Sequence, residues 1–244
     1  FLRKIKPVLI HCHDFDTLPA GLWWGKLRRI PVVYDAHEYY AELTRPRLHG
    51  LVGTFLYHSI RLAEQIGARL SDAVITVDQT LKKIYQKSNR RVLVIGHYPT
   101  RVLAANPSTV FHSTELRLLY AGRISTDRGM LYYVDLLRGL RACGIPARLI
   151  LAGAFIPEAE QDLFRQASRD LSAWITILGW VPYLEMPRIL READIGLAVL
   201  MPLPRFVAAL PVKLFEYMAA GLPVVASDFP LLRDVVGQHH CGIL

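Results

Sequence analysis

The chain has 244 residues, of which 52% are hydrophobic, enough for one large or two modest domains with a buried core. No apolar run reaches the roughly 18 residues of a membrane-spanning helix, and Val8–His13 is too short and polar to be the core of a signal peptide. The formal net charge of +8 is concentrated at one end: residues 1–112 hold 16 Lys and Arg against 8 Asp and Glu, whereas residues 113–244 hold 13 of each.

Short β-branched runs alternate with longer helical stretches, the pattern of βαβ units around a parallel sheet. In the first half, strands are expected at Pro7–His11, Val32–Asp35, Ala73–Val77 and Val92–Ile95. Helices are expected at Leu18–Leu27, Leu51–Leu70 and Gln79–Tyr85. Segment 97–113 breaks the periodicity with Pro99 and Pro107 and reads as a linker. A second series follows, with strands at Leu116–Ala121, Ala147–Leu151, Trp174–Leu178, Ile195–Leu200 and from Val224. Helices fall at Leu131–Ala142, Glu158–Leu171, Leu184–Arg191, after Pro211 and at Leu231–Val236. The expected division is therefore 1–112 and 113–244. The first half shows about four strands, short of the roughly six of a doubly wound sheet, so both ends read as cut from a longer protein. Cys12, Cys143 and Cys241 are scattered and odd in number, which favours free thiols in a reducing compartment.

Chemistry-bearing residues cluster at strand ends, where open α/β sheets bind ligands. In LLYAGRISTDR a strand ends at Gly122, and Arg123 and Arg128 lie in the following loop, suited to bidentate phosphate contacts. In LPVKLFEYMAAGLPVVASD, Pro211 opens a helix and Gly221 with Pro223 closes it. Lys213 and Glu216, three apart, share a face of its first turns. Free N–H groups, the helix dipole and a lysine favour a diphosphate there, and a carboxylate beside them suits a ribose or sugar hydroxyl. A solvated ion pair on an ordinary helix is the alternative. ILGWVP (177–182) reads from its residues as a turn around a buried Trp180. VYDAHE (33–38) places His37 at a strand end, flanked by Asp35 and Glu38, where it could hydrogen-bond a sugar hydroxyl. His11, His13 and Asp14 have metal-like spacing but lack a third convincing ligand, so they read as structural or acceptor-lining.

The helix segment resembles the donor-binding element of the GT-B glycosyltransferases, family 4 especially, in the form P-x-K-x-x-E-Y-M-A-x-G-x-P-V. AGRISTDRG resembles that family's G-R-x-x-x-x-K-G element, with Arg128 in the lysine position. ILGWVP and YDAHE are similar to its base-binding and acceptor-side loops. The resemblance implies two Rossmann-like, doubly wound domains. It further implies a metal-independent retaining glycosyltransferase that uses a nucleotide-diphosphate sugar and no cofactor. Gly122, Arg123, Arg128, Val181, Lys213 and Glu216 would bind the donor, and His37 would stand near its sugar. A second acid common in the family is replaced by Ala208. The partners expected are the donor and a glycan or lipid-linked acceptor, in the cytoplasm, with the basic half drawn to an anionic inner-membrane face. Nucleic acid is not expected, because the basic residues are not interleaved with exposed aromatics. A nucleotide-sugar epimerase and a non-catalytic donor-binding subunit remain as alternatives.

Overall fold

A computed structural model describes residues 6–45, 48–104, 114–207 and 209–244, in two compact units, Phe1–His97 and Tyr98–Leu244. Ala208 and residues 105–113 lie outside the described residues.

The first unit runs β1 (Ile10–His13), α1 (Asp14–Arg28), β2 (Val32–Ala36), α2 (Tyr40–Thr44), α3 (Gly50–Leu70), β3 (Ala73–Thr76), α4 (Gln79–Tyr85) and β4 (Val92–Val94). Its four strands are parallel and ordered β1-β2-β3-β4. Alternation along the strands sends Cys12, Val32, Tyr34, Val74 and Val92 into one core with Leu18 of α1, Ala68 of α3 and Leu81 of α4. The opposite parity puts His11, His13 and Asp35 on the other face, where His13 pairs in register with Asp35. The first strand begins later than expected, at Ile10 rather than Pro7, because its partner β2 begins only at Val32, which lies opposite Ile10. It therefore extends through both histidines.

Helix α3 is turned outward. Gly53, Glu64, Gly67 and Ala68 are its buried residues, while Leu51 is 91% and Phe55 71% exposed. The inward stripe is small because the packing is close: a Cβ on Gly67 would lie 2.6 Å from Leu18 Cδ2. Glu64 anchors it. Its Oε1 accepts from Tyr85 Oη at 2.5 Å, Tyr34 Oη at 3.2 Å and Tyr40 N at 3.0 Å, and its Oε2 from Ala41 N at 3.2 Å. Burial raises the Glu64 pKa, and these four donors oppose the rise.

The second unit contains α5 (Arg101–Ala104), β5 (Leu116–Ala121), α6 (Met130–Ala142), β6 (Ala147–Ala152), α7 (Glu160–Ala167), β7 (Ile175–Gly179) and α8 (Met186–Arg191). It continues with β8 (Ile195–Ala198), α9 (Pro204–Val207), α10 (Val212–Ala219), β9 (Val224–Ala226), α11 (Pro230–His239) and β10 (Gly242–Ile243). All six strands are parallel, in the order β10-β9-β8-β5-β6-β7. The chain winds outward from β5 to β7, then returns to β8 and winds the other way. Such a reversal opens a crevice beyond the carboxyl ends of the two central strands, here β5 and β8. Leu118 and Tyr120 enter one buried cluster and Leu119 and Ala121 the other, which explains why β5 is apolar throughout.

Two expectations need adjusting. Part of the expected linker belongs to the second unit, since α5 places Leu103 in its core. The helix expected over 158–171 breaks at Ser168, whose N–H and hydroxyl both bond Phe164 O, and continues as a 3₁₀ turn over Arg169–Trp174.

The crevice is held by one side chain. Strands β5 and β8 pair only at Leu118–Ile195 and Leu119–Gly196. Beyond that point Tyr217 of α10 inserts its hydroxyl, which accepts from Ala121 N at 2.9 Å and lies 3.4 Å from the carbonyl oxygens of Leu119 and Leu197. Gly196 makes room: a Cβ there would sit 2.5 Å from the Tyr217 ring. Replacing Tyr217 by Phe strands the buried Ala121 N–H and should cost about 1–3 kcal/mol in denaturant unfolding. Unchanged stability would mean that another group serves that N–H. In the first unit, a group whose folded pKa is raised gives stability that is lost as pH rises through that pKa. The stability advantage of the natural chain over Glu64→Gln should therefore shrink as pH climbs above 4.5, the value of a free glutamate, as parallel denaturation curves would show.

Candidate functional site

Three cationic side chains come from the two segments flanking the crevice. Pro211 (φ −71°, ψ 132°) precedes α10 as its N-cap, and Lys213 stands in the first turn. Tyr217, one turn on, fixes that helix against β5 and β8, so Lys213 on the same face points at the end of β5. Its ammonium is 3.4 Å from the centroid of the Tyr120 ring and makes no hydrogen bond. The residue is 7% exposed. Burial, with the Arg128 guanidinium nearby, holds the Lys213 pKa well below that of a free lysine, and Glu216 only partly offsets this. Glu216 is half-buried, and burial raises its pKa while Lys213 opposes the rise.

Glycines open the way to this ammonium. Gly122 has φ +124°, and a Cβ there would come within 3.3 Å of Lys213 Nζ. Gly153, at the end of β6, packs against it so closely that a Cβ would lie 1.8 Å from Gly122 O. The loop after Gly122 then folds into a short turn, Thr126–Arg128, ended by Gly129 at φ +80°. Tyr133 Oη lies 2.8 Å from Arg128 O and 2.6 Å from Val199 O, tying this turn to the segment after β8. Glu160 accepts from the Thr126 hydroxyl at 3.0 Å and from its backbone N–H.

Arg128 lies with its guanidinium carbon 5.4 Å from the Phe206 ring centroid, and its buried Nε has no hydrogen-bond acceptor. Arg123 contacts Asp127 at 3.4 Å. Asp127 also pairs with Arg205 and Ser125. Burial alone would raise the Asp127 pKa, but Ser125, Arg205 and Arg123 together hold it below the usual value. The buried Lys213 ammonium and the Arg128 Nε beside it both lack acceptors, an arrangement that can receive an anion. A buried charge without a partner is costly, and an arriving diphosphate would supply both missing acceptors.

Of the residues read from sequence, Gly122, Arg123, Arg128, Lys213 and Glu216 stand at this crevice. Val181 follows the edge strand β7 in the next turn, half-buried against the core cluster that also holds Ala121 and Tyr217. Trp180 is 76% exposed rather than buried, because it follows an edge strand and Gly179 turns the chain outward at φ +70°. Tyr217, Tyr120, Asp127, Arg205 and Gly153 escaped the sequence reading. Gly153, directly after an apolar strand, was the most legible of these.

In the first unit, the Asp35 carboxylate collects three imidazoles. His11 Nε2, His13 Nδ1 and His37 Nε2 lie 3.2, 3.1 and 3.1 Å from its Oδ2. His97 stacks edge-on against His37, with centroids 4.9 Å apart. Beside them is a pocket of about 280 Å³ lined by Asp14, Asp16, His37, Glu38, Tyr40 and Leu43. Asp14 enters α1 at φ +59° and lies 3.4 Å from the His37 backbone N–H.

Two parallel-sheet Rossmann-like units define the GT-B class of fold. Residues 115–244 match the family described as glycosyl transferases group 1, and residues 1–97 match Glycosyltransferase Family 4. The chain belongs to the glycosyl transferases group 1 family. It is 31% identical over 135 residues to the amylovoran biosynthesis glycosyltransferase AmsK of Erwinia amylovora, covering 53% of this chain and 32% of that protein. It is 22% identical over 254 residues to the phosphatidyl-myo-inositol mannosyltransferase of Mycobacterium leprae, covering 97% and 59%. The chain thus spans less than two thirds of the length of these relatives. Among solved structures, Anabaena HepE in complex with UDP superposes with a TM-score of 0.72 at 19% identity, covering 100% of this chain and 67% of that one. Sucrose-phosphate synthase from Thermosynechococcus elongatus gives 0.71 at 18%, covering 100% and 61%.

Replacing Lys213 by Met removes a buried charge that lacks an acceptor. The variant should unfold at an equal or higher temperature than the natural chain. It should also bind a nucleoside diphosphate about 1.5–3 kcal/mol more weakly by calorimetry. A destabilised variant with unchanged affinity would place the anion elsewhere.

Proposed function

We propose that this chain is the donor-binding and acceptor-side core of a retaining glycosyltransferase that moves a sugar from a nucleotide-diphosphate sugar to a glycan or lipid-linked acceptor. The observation that carries the reading is the buried Lys213 ammonium beside the unpaired Arg128 Nε at the switch point of the sheet. Family membership supports it, as does the likeness to a fold solved with UDP.

In the reaction, the bond between the anomeric carbon and the diphosphate oxygen breaks, and its electron pair leaves on that oxygen. Lys213, Arg128 and Arg123 meet the developing charge, an electrostatic stabilisation that is strong where water is excluded. The acceptor hydroxyl oxygen bonds the anomeric carbon on the face the diphosphate leaves and gives its proton to the departing phosphate oxygen. Glu216 would accept hydrogen bonds from the ribose. The turn at Val181 would receive the base through its backbone, and His37 with the neighbouring acidic pocket would contact sugar hydroxyls. Incubating the full-length protein with a panel of nucleotide sugars, with and without acceptors, separates the readings. Transferred sugar supports this one; epimerised sugar or binding without turnover would replace it.

The depressed Lys213 pKa gives a sharper check. A bound diphosphate would raise that pKa toward its ordinary value, so between the free and bound values each binding event must take up a proton. Calorimetry in buffers of differing ionisation enthalpy should show this uptake for the natural chain and lose it in Lys213→Met. An enthalpy independent of the buffer would contradict the role given to Lys213.

On the acceptor side we place the first unit against an anionic lipid surface. No helix among the described residues is long and apolar enough to cross a membrane. The outward face of α3 instead joins Leu51, Val52, Phe55 and Leu62 to exposed Arg61 and Arg69. This combination suits an interfacial helix, and Lys6, Arg28, Arg29 and Arg45 add to the charge of that half. Flotation with vesicles should require anionic lipid, weaken with salt and fall in a Phe55→Ser variant. Flotation with neutral vesicles alone, or none at all, would leave a soluble acceptor as the better choice.

A further inference from the structure

The histidine cluster of the first unit is not explained by hydrogen bonding alone. A carboxylate oxygen offers about two lone-pair sites, yet three imidazole nitrogens surround Asp35 Oδ2 at 3.1–3.2 Å. Asp35 is 7% exposed. His11 and His13 alternate along β1, so both side chains leave the same face of the sheet, and their rings stack with centroids 4.5 Å apart. Asp35 reaches that face because the parallel register sets it opposite His13. One ligand atom from each of His11, His13 and Asp35 falls within 4.8 Å of the other two. Atoms bound to one tetrahedral zinc at 2.0–2.1 Å stand about 3.3 Å apart, close to the His–Asp separations here.

We propose that His11, His13 and Asp35 bind a divalent first-row transition cation, with Zn²⁺ the best match. Two neutral imidazoles and a carboxylate are borderline-to-hard donors that suit Zn²⁺ and disfavour Ca²⁺ or Mg²⁺. The expectation from sequence set a metal aside because H-x-H-D lacked a third ligand. The fold supplies one in Asp35, from a strand twenty residues on, rather than in the adjacent Asp14. His37 also contacts the Asp35 oxygen and acts as an outer partner that orients it. The side chains of His11 and His13 are 41% and 61% exposed, so the cation can enter from solvent. Three protein ligands leave one coordination position for water or a hydroxyl-bearing ligand, an arrangement of catalytic rather than structural zinc sites. The proposal does not depend on the donor-site reading, whose cations all belong to the second unit.

The test uses the 244-residue chain after treatment with a chelator. Zn²⁺ titrated by calorimetry should saturate at one equivalent, and Co²⁺ should develop the visible absorption of a low-coordinate nitrogen–oxygen site. The His11→Ala/His13→Ala double variant removes two exposed side chains, and a thermal melt verifies its fold. It should lose affinity by more than the roughly 10–100-fold that loss of an outer partner costs a metal site. His37→Ala should fall within that smaller range. Nucleoside diphosphate affinity in the presence of chelator should stay unchanged, which separates this site from the donor crevice. Absence of saturable Zn²⁺ binding, or equal binding by the double variant, overturns the proposal.

Discussion

The second unit depends on the hydroxyl of Tyr217. Two parallel strands diverge at the switch point, and diverging strands leave backbone groups without ladder partners. One side-chain oxygen takes the Ala121 N–H and lies beside two carbonyls. The same residue sets the position and rotation of α10. With that helix fixed, Lys213 is buried, its ammonium over Tyr120 and beside Gly122. The candidate anion site is thus a consequence of how the sheet is opened, because the residue that bridges the strands also sets the place of Lys213.

Local pattern carried the elements, because parallel strands buried on both faces read as apolar runs and amphipathic helices read by their period. It failed where tertiary context decides. Pro7 to Leu9 fit a strand by composition but have no partner, since β2 begins opposite Ile10, and the apolar stretch around Leu103 reads as linker until its core is seen. Of the two readings of ILGWVP, a turn around a buried Trp180 fails because an edge strand and a left-handed glycine put that residue in water.

The candidate site divides in the same way. Arg123, Arg128 and Lys213 were legible because cations at strand ends and helix starts have a local signature. Tyr217 was not, since within EYMA a tyrosine reads as one more core residue. Nor was the role of Asp35. Its partners His11 and His13 belong to a different strand, and only parallel register brings them together. Asp127 reads as a loop acid, yet it restrains Arg123 and Arg205 at once.

Helix α3 has an implication of its own. Its grip on the first unit comes from glycine contacts and the Glu64 hydrogen bonds, so the large apolar residues on its outer face add nothing to that unit's core. Those side chains therefore need a cover that the described residues of this unit do not provide.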